Sequence, residues 1–503
     1  MDKKKCDLNL LAFDCGNSSI RTILCHFDGD MVTSEVILQK PNRIIEEGGV
    51  FYWDMPGIFS VMKEGLGMAA QKAGRIDSVG ICTWGVDFQM TDDEGRLTER
   101  ALCYRNSIGH AAASALTKEQ RREMFFRTGI LCDKINTIFL LRGLRDQGSS
   151  ILEKGRKLLL VPDIFVYLFT GVLMNEPSEL STTQLLNVED MTIDSGQCAY
   201  AGISPDVFSQ IGVHGRKVGN IRREILEELG ITYDIPLVCV PSHDTACAVL
   251  AIPSIKENYL FVSSGTWALV GAQCPQPVIR DDVLEANLTN EAGAFGRTTL
   301  LRNHAGMFLI QRLKAEYEEE TGETIGWGEF TKLADTWTGD PVLFDVNDSR
   351  LFNPVKMVSA IREMIREADG DGMGGDGPGG DGPGAADADW PELLRSVYVS
   401  LGTSFARVLS QVAECTGETY DRVYIVGGGS KNAMINRTCA DQLGLPVYAC
   451  DMECSSVGNA VSQLAYHLPD VKYEDLRRII TRSLKTKEYL PAGNERASKQ
   501  GKT

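Results

Sequence analysis

One pattern constrains this chain more than any other, and it occurs twice: an apolar strand, a tight turn rich in hydroxyls and glycine, and a second strand. Residues 8–13 are apolar, Asp14-Cys15-Gly16-Asn17-Ser18-Ser19 makes the turn, and residues 20–27 follow. From Asn258 the pattern returns as residues 259–263, Ser264-Gly265-Thr266 and residues 267–272. Two such openings point to two α/β domains of related architecture. The length of 503 residues agrees, since one core serves roughly 100–200 residues. The expected domains are 1–252 and 253–480, with a tail over 481–503.

The first half continues as alternating units. Asp28-Gly29-Asp30 is a hairpin turn signal before a third strand over 31–38. Asp54 is placed to cap a helix reaching Ala73, with Ile58, Val61, Met62 and Leu66 on one face, and residues 78–82 form the fourth strand. In the second half, a helix over 391–415, a strand over 423–426, Gly427-Gly428-Gly429 and a helix ending near Leu443 are expected. Residues 369–389, DGDGMGGDGPGGDGPGAADAD, break the texture. They have too little apolar surface to offset ordering entropy, so they read as a disordered insertion. A calcium-binding repeat would want a large apolar residue where Pro stands.

Charge and cysteine content narrow the function. With 68 acidic and 51 basic residues the net charge is −17, a field that repels nucleic acid and anionic membrane. Phosphate binding would need local groups such as backbone N–H. No run reaches the roughly 18 apolar residues of a membrane span, and Met1 to Leu11 lacks the plan of a signal peptide. The 14 cysteines are scattered through apolar stretches without a C-x-x-C pair. Reduced, buried thiols and a cytoplasmic location are therefore expected.

Several motifs carry chemistry, each beside a plainer structural reading. The turn from Asp14 to Arg21 can surround phosphate oxygens with N–H groups and the Asn17, Ser18 and Ser19 side chains, while Asp14 can hold Mg²⁺ through water. It can equally be a hairpin with an Asx-type turn. The second hydroxyl turn, Ser263–Trp267, makes a two-sided polyphosphate clamp the stronger reading. Gly427-Gly428-Gly429-Ser430-Lys431-Asn432 permits close approach to a base and ribose, or is only a tight strand-to-helix connection. In Pro241-Ser242-His243-Asp244-Thr245-Ala246, an Asp at a strand end is placed as general base, or as a helix N-cap. Trp84 offers a flat face to a sugar and Asp87 a hydroxyl acceptor; Trp84 can equally be core. Asn303 can reach a sugar hydroxyl or cap the helix that carries Gln311.

In this order the motifs resemble the FGGY family of carbohydrate kinases, within the actin-like ATPase-domain superfamily, from residue 8 to residue 468. The stretches that carry the resemblance are TWGVDF (83–88), NTIFLLRGL (136–144), STTQLLN (181–187), PSHDTA (241–246), SSGTW (263–267) and VGGGSKN (426–432). The resemblance implies two actin-like (ribonuclease H-like) α/β domains with an active site in an interdomain cleft, and ATP and Mg²⁺ as cofactors. Asn17, Ser18, Ser19, Ile20 and Arg21 match the first phosphate loop, and Thr266, Gln311 and Gly428 match other ATP-contacting positions. Gly85, His243, Asp244, Thr245 and Asn303 match sugar-contacting positions, with Asp244 the proton acceptor and Asp14 beside the metal. The implied acceptor is a ketose, with the 1-hydroxyl of L-rhamnulose favoured over L-fuculose, D-xylulose or another polyol.

Two departures stand out. Tyr104-Arg105-Asn106-Ser107-Ile108 replaces a Tyr-Arg-Asp and Ser-Arg pattern, losing a carboxylate and a cation, and Ile20 stands where the family tends to have Gly. The rival of another class is a non-catalytic actin-like chaperone, filament or sugar-responsive regulator, which needs neither the His243-Asp244 pair nor Trp84 and Asp87.

Overall fold

The computed structural model describes residues 6–98, 100–370, 389–450 and 454–492. Of the insertion expected over 369–389, residues 371–388 lie outside the described residues; the helix Met357–Gly370 takes in its first two residues and Asp389 caps the helix that follows. Of the tail expected over 481–503, residues 493–503 lie outside them, while residues before that belong to the helix Tyr473–Ser483 and the strand Thr486–Tyr489. The chain divides into two compact units that are not contiguous in sequence. Unit 1 is Met1–Glu257, Gln273–Leu301 and Glu453–Lys485; unit 2 is Asn258–Ala272, Arg302–Met452 and Thr486–Thr503.

Unit 1 is organised by a six-stranded sheet in the spatial order Lys217–Asn220, Pro236–Val238, Ser78–Thr83, Leu8–Cys15, Ser19–Phe27, Val32–Pro41. The first strand runs antiparallel to Ser19–Phe27 and parallel to Ser78–Thr83, and Pro236–Val238 extends the parallel set. Central strands covered on both faces read as unbroken apolar runs. Accordingly, residues 10–15 and 78–83 are buried throughout. The Asp28–Asp30 turn closes its hairpin, with Phe27 opposite Val32.

The helix Met55–Ala73 begins where its cap dictates. Asp54 accepts a hydrogen bond from the Gly57 N–H at 3.0 Å, and Pro56 occupies the first turn, where its missing N–H costs nothing. Ile58, Met62, Leu66 and Ala69 pack on the sheet. One hairpin was not anticipated: Ile44–Glu47 and Val50–Trp53 precede this helix. Gly48 and Gly49, at φ 59° and 81°, supply the two left-handed residues that such a two-residue turn demands. Beyond Thr83, Phe88–Thr91 pairs with Lys157–Leu160, and surrounding helices build a second apolar cluster around Phe139, Leu141 and Leu158.

The third piece of unit 1 is the helix Cys454–His467, which lies against the first sheet through a polar seam. Gln463 donates to Leu11 O at 3.1 Å and accepts from Ser78 Oγ at 2.7 Å, while Gln463 Nε2 also donates to Asn459 Oδ1 at 2.9 Å. Gly80 and Gly458 admit this helix. A Cβ on Gly80 would sit 2.2 Å from Asn459 Oδ1, and one on Gly458 would sit 2.0 Å from the Cys247 carbonyl oxygen.

Unit 2 repeats the strand scheme of unit 1. Tyr259–Ser264 runs antiparallel to Trp267–Cys274 and parallel to Arg422–Val426. Val447–Cys450 extends the parallel set, and Thr486–Tyr489 closes the edge antiparallel. In both units a hairpin opens the sheet, two more strands join in parallel, and an antiparallel strand ends it. The long helix Trp390–Thr416 buries Leu394, Leu401 and Val408. Among the described residues, the cysteines are thiols, all but Cys6 and Cys132 buried, and no helix is long and apolar enough to cross a membrane.

The Gly458 contact gives a test of this packing. Gly458→Ala forces a methyl group into backbone and is expected to destabilise the protein by ~1–3 kcal/mol, read as a lower denaturant midpoint. An unchanged midpoint would show that the two helices do not meet so closely.

Candidate active site

Three parallel strands of unit 1 end at one edge of their sheet, where α/β proteins place reactive groups. The first ends in Asp14-Cys15, the second in Thr83-Trp84-Gly85, and the third runs on toward Ser242-His243-Asp244. The last two are joined by the Thr83 N–H donating to Ser242 O at 2.8 Å and by a parallel bridge between Thr83 and His243. Asp14 is buried. Its Oδ2 accepts from Arg21 Nη2 at 2.7 Å, from Ser455 Oγ at 2.5 Å and from Ser456 Oγ at 3.4 Å. Arg21 is the direct strand partner of Asp14, so the hairpin register delivers the cation.

Asp244 is the first residue of the helix Asp244–Leu250, and His243, not Asp244, occupies the N-cap position. The Asp244 side chain remains 38% exposed, enough for a ligand to reach it. Thr245 is buried, and its hydroxyl donates to Asp244 Oδ1 at 3.3 Å. His243 Nε2 lies 3.6 Å from Asp244 Oδ1, and Nδ1 lies 3.1 Å from Glu291 Oε2. Withdrawal from water pushes the Asp244 carboxyl above its ordinary value; His243 opposes this and the charge of Asp14 adds to it. Burial works against a His243 cation too, but Glu291 overcomes it, with help from Asp244 and Glu176, and lifts the imidazole to about 9.

More carboxylates lie behind this pair. Glu176 Oε1 meets His214 Nε2 at 2.5 Å, and its Oε2 accepts from Ser178 Oγ at 2.5 Å and the Glu179 N–H at 2.9 Å. The Phe295 N–H donates to His214 Nδ1 at 2.9 Å, which places the His214 proton on Nε2, toward Glu176. Burial disfavours the Glu176 carboxylate, yet His214 and these donors hold its pKa below the ordinary value. Glu179 has no such help. Neither carboxyl oxygen has a hydrogen-bond partner among the described residues, and burial pushes its pKa well up, as do the charges of Glu176, Asp163, Asp244 and Glu291. Glu291, Glu176, Glu179 and His214 carry no motif, and nothing in the sequence pattern singled them out.

For the residues after Ser78–Thr83 the core reading of Trp84 holds, and Asp87 is not the open hydroxyl acceptor expected. Trp84 is 3% exposed and packs on Trp53 with ring centroids 4.3 Å apart. Asp87 is fully buried, its Oδ2 accepting from the indoles of Trp53 at 2.6 Å and Trp84 at 2.9 Å. Both are core, because two indole N–H groups buried together need an acceptor. The burden of distinguishing a sugar site therefore falls on His243 and Asp244. Gly85 stays partly open, and a Cβ there would meet Thr182 at 2.9 Å. Val86 next to it is held at φ 71° by bonds to Thr182 Oγ1 and Thr137 Oγ1. Asn106 is structural as well. Its amide accepts from the Phe51 N–H at 2.9 Å and donates to Phe51 O at 2.7 Å and Cys103 O at 2.9 Å, and a carboxylate could not make those donations.

The turn from Asp14 to Arg21 forms as expected. Gly16 N–H donates to Ser19 O at 2.9 Å, and Asn42 pins the loop through Gly16 O and Ser18 O. Ser18 is exposed, Asn17 and Ser19 are half-buried, and the Asn17 Oδ1 is buried without a hydrogen-bond partner among the described residues. The Ile20 side chain turns into the core, so only its backbone faces the loop.

In unit 2, Thr266 and Gly428 follow the ends of two parallel strands, and Gln311 lies in the first turn of the helix Phe308–Thr321. The Met307 and Phe308 N–H groups donate to Gly265 O at 2.9 Å and Thr266 O at 3.0 Å, seating the helix Phe308–Thr321, with exposed Gln311, on the second hydroxyl turn. Cβ atoms on Gly427 and Gly429 would strike Ser264, at 2.8 Å from its O and 2.0 Å from its Oγ. One on Gly428 would find no heavy atom closer than 3.9 Å, so this exposed residue leaves room for a ligand. Asn303 is an exposed strand residue in Thr298–Ala305, and the helix cap after it is Met307. Of the five residues expected on the sugar side, Gly85, His243, Asp244 and Thr245 lie in unit 1 and Asn303 in unit 2.

The chain matches the N-terminal domain model of the FGGY family of carbohydrate kinases over residues 9–251 and the C-terminal domain model over 260–466. It is 32% identical over 484 residues to a rhamnulokinase of Bacteroides thetaiotaomicron, covering 96% of each chain. It is 30% identical over 460 residues to a rhamnulokinase of Oceanobacillus iheyensis, covering 90% of this chain and 92% of that one. Its fold is similar to a gluconate kinase crystal structure from Lactobacillus acidophilus, with a TM-score of 0.78 at 15% identity, covering 98% of this chain and 96% of that one. The chain belongs to the FGGY family of carbohydrate kinases and has its two-domain, actin-like α/β fold.

Burial of Asp87 sets a pH test. Desolvation lifts its carboxyl from the ordinary 3.8 to about 7, against the two indole donors. Between those values the native state binds more protons than the unfolded one, so this group's contribution to stability falls as pH rises from 3.8 to about 7 and is then constant. In Asp87→Asn that component of the decline should vanish when denaturant midpoints are compared across the window. Parallel profiles for the two proteins would show that Asp87 does not titrate there.

Proposed function

We propose that this carbohydrate kinase transfers the γ-phosphate of ATP to the 1-hydroxyl of a ketose, with L-rhamnulose the favoured acceptor. The placement of Asp244 carries the reading: a partly exposed carboxylate at the carboxyl end of parallel strands, beside His243. The similarity to two rhamnulokinases over nearly the whole chain supports the choice of sugar.

In this reading Asp244 accepts the proton of the attacking hydroxyl while His243, Gly85 and Asn303 orient the sugar. Thr245 acts through Asp244, on which its hydroxyl rests. Thr266, Gln311 and the open backbone at Gly428 hold the nucleotide, and the turn from Asn17 to Arg21 meets its phosphates. The orphaned amide end of Asn17 suits that role, since rotating the amide places an N–H₂ donor there. Phosphoryl transfer asks mainly for positioning and charge stabilisation, which these loops supply.

Mg²⁺ suits the donor set near Asp14. Among the described residues no group of three or more His, Cys, Asp and Glu side chains is placed to cage a metal. Mg²⁺ commonly keeps its waters and takes one carboxylate plus substrate phosphates. Asp14, already bonded by Arg21 and Ser455, would hold it through water, and the bound ion would neutralise phosphate charge. ATP chemistry and reduced thiols together favour the cytoplasm.

A coupled ADP-release assay over a panel of ketoses tests the reading. L-rhamnulose should give the highest kcat/KM; a preference for L-fuculose or D-xylulose would reassign the acceptor, and sugar-independent turnover would favour the regulator. Asp244→Asn should keep fold and nucleotide binding but lower kcat by roughly 10²–10⁴, the usual worth of a general base. Activity within a few-fold of wild type would remove Asp244 from that role. Thr266→Val should raise the KM for ATP more than that for sugar, and the reverse would exchange the roles of the two hydroxyl turns.

A further inference from the structure

Glu291 sits on the short strand Thr289–Ala292, paired antiparallel with Thr298–Ala305 and opposite Thr299. It falls in the stretch matched by the C-terminal family model yet packs within unit 1. Its side chain is only 12% exposed. The short helix Pro177–Thr182 fixes it relative to His243 from both sides. Ser181 Oγ accepts from the Ala292 N–H at 3.0 Å, one residue from Glu291, and Ser178 Oγ accepts from the His243 N–H at 3.0 Å. One helix thus holds both the strand that carries the carboxylate and the loop that carries the imidazole. Across that frame Glu291 Oε2 lies 3.1 Å from His243 Nδ1 and Asp244 Oδ1 lies 3.6 Å from His243 Nε2, as ion-pair contacts; the buried Nδ1 has no aligned hydrogen bond among the described residues.

We propose that Glu291 is a positioning residue for phosphoryl transfer: its carboxylate, set against the Nδ1 side of the His243 ring, keeps that ring cationic and in place, so that Nε2–H faces Asp244 Oδ1 and Asp244 stays ionised. This rests on Asp244 being the general base. The acceptor O–H bond then breaks with its proton passing to Asp244 Oδ2. The freed electron pair forms the new bond to phosphorus as the bond from phosphorus to the departing ADP oxygen breaks. A distance of 3.6 Å is long for a hydrogen bond, and such contacts commonly tighten only when substrate is bound.

Electrostatics makes the device necessary. Asp244 faces Asp14, and the charge of Glu179, where ionised, would add to the same sign. A polyphosphate adds more negative charge, and without a cation beside it a carboxylate in this setting takes up a proton. His243 faces three carboxylates, Glu291, Asp244 and Glu176, and Glu291 contributes most to keeping it charged. Asp244 cannot supply that charge itself, because it is the group that must change protonation during the reaction.

Glu291→Gln keeps the shape and removes the charge. It is expected to lower kcat roughly 10²-fold, as loss of reactive geometry does, with the KM for the ketose within about twofold. The acid limb of the kcat/KM profile should move to higher pH. His243 then loses its proton more easily, Asp244 loses its cation, and more alkaline solution is needed to ionise the base. Glu291→Asp, which keeps the charge, should restore part of both. A uniform loss with an unmoved acid limb, or no loss, would overturn the proposal. If the variant does not fold, nitrogen NMR of the wild-type ring decides: both His243 nitrogens should be protonated at neutral pH, and a neutral ring would overturn it. Asp244→Asn measured alongside separates the two ideas. An active Asp244→Asn defeats the base assignment, whereas an inactive Asp244→Asn with an unmoved limb in Glu291→Gln defeats only the role of Glu291.

Discussion

Unit 1 depends on neutralising a buried row of carboxyl groups. Asp14, Asp163, Glu176, Glu179 and Glu291 are buried or nearly so around the carboxyl end of the sheet, and Asp244 opens beside them. An isolated carboxylate in such surroundings is costly by many kcal/mol and would instead take up a proton. Each is managed differently. Asp14 has Arg21 and the serines and Glu176 has His214, whereas Asp163 takes bonds from Asn175 and the Glu176 N–H yet is still pushed well up by burial. His243 serves Glu291 and Asp244 together. Glu179 has no hydrogen-bond partner among the described residues and is pushed toward its neutral form. The overall charge of −17 offers no background relief, so every compensation is local.

Where a residue acts through its neighbours in sequence, its role could be read from the chain. The Asp54 cap, the Asp28–Asp30 turn, the two hydroxyl loops and the strand before His243-Asp244 are local chemistry and appear where expected. Gly48-Gly49 was legible on the same terms and is a missed signal of a hairpin. Trp84 and Asp87 could not be read alone, because what buries them is Trp53, a residue 31 positions earlier than Trp84 in the chain. Glu291, Glu176 and Ser455 were invisible for the same reason. Their contacts span long separations, up to 441 residues for Ser455 and Asp14, and no spacing rule reaches that far.

The two sheets share a strand scheme but differ in what their strand ends carry. In unit 1 the ends present acids and an imidazole, groups that move or stabilise protons. In unit 2 they present hydroxyls and glycines, with Gly427 and Gly429 packed on Ser264 and Gly428 left open. A repeated framework thus supports two unlike chemistries because the sheet specifies where a loop emerges and leaves its composition free.

The segmented make-up of unit 1 bears on how the protein comes into being. Its sheet is finished by residue 238, yet the helix Cys454–His467 that covers the first strand and supplies Ser455 to Asp14 leaves the ribosome only after all of residues 239–453. At ~5–20 residues per second, the first strand waits roughly 20–90 s for its covering helix. Throughout that interval the Asp14 carboxylate lacks the Ser455 and Ser456 hydroxyls that it bonds in the folded chain. A growing chain of this design is thus a natural client for chaperones, and its first unit matures only after most of the second has been synthesised.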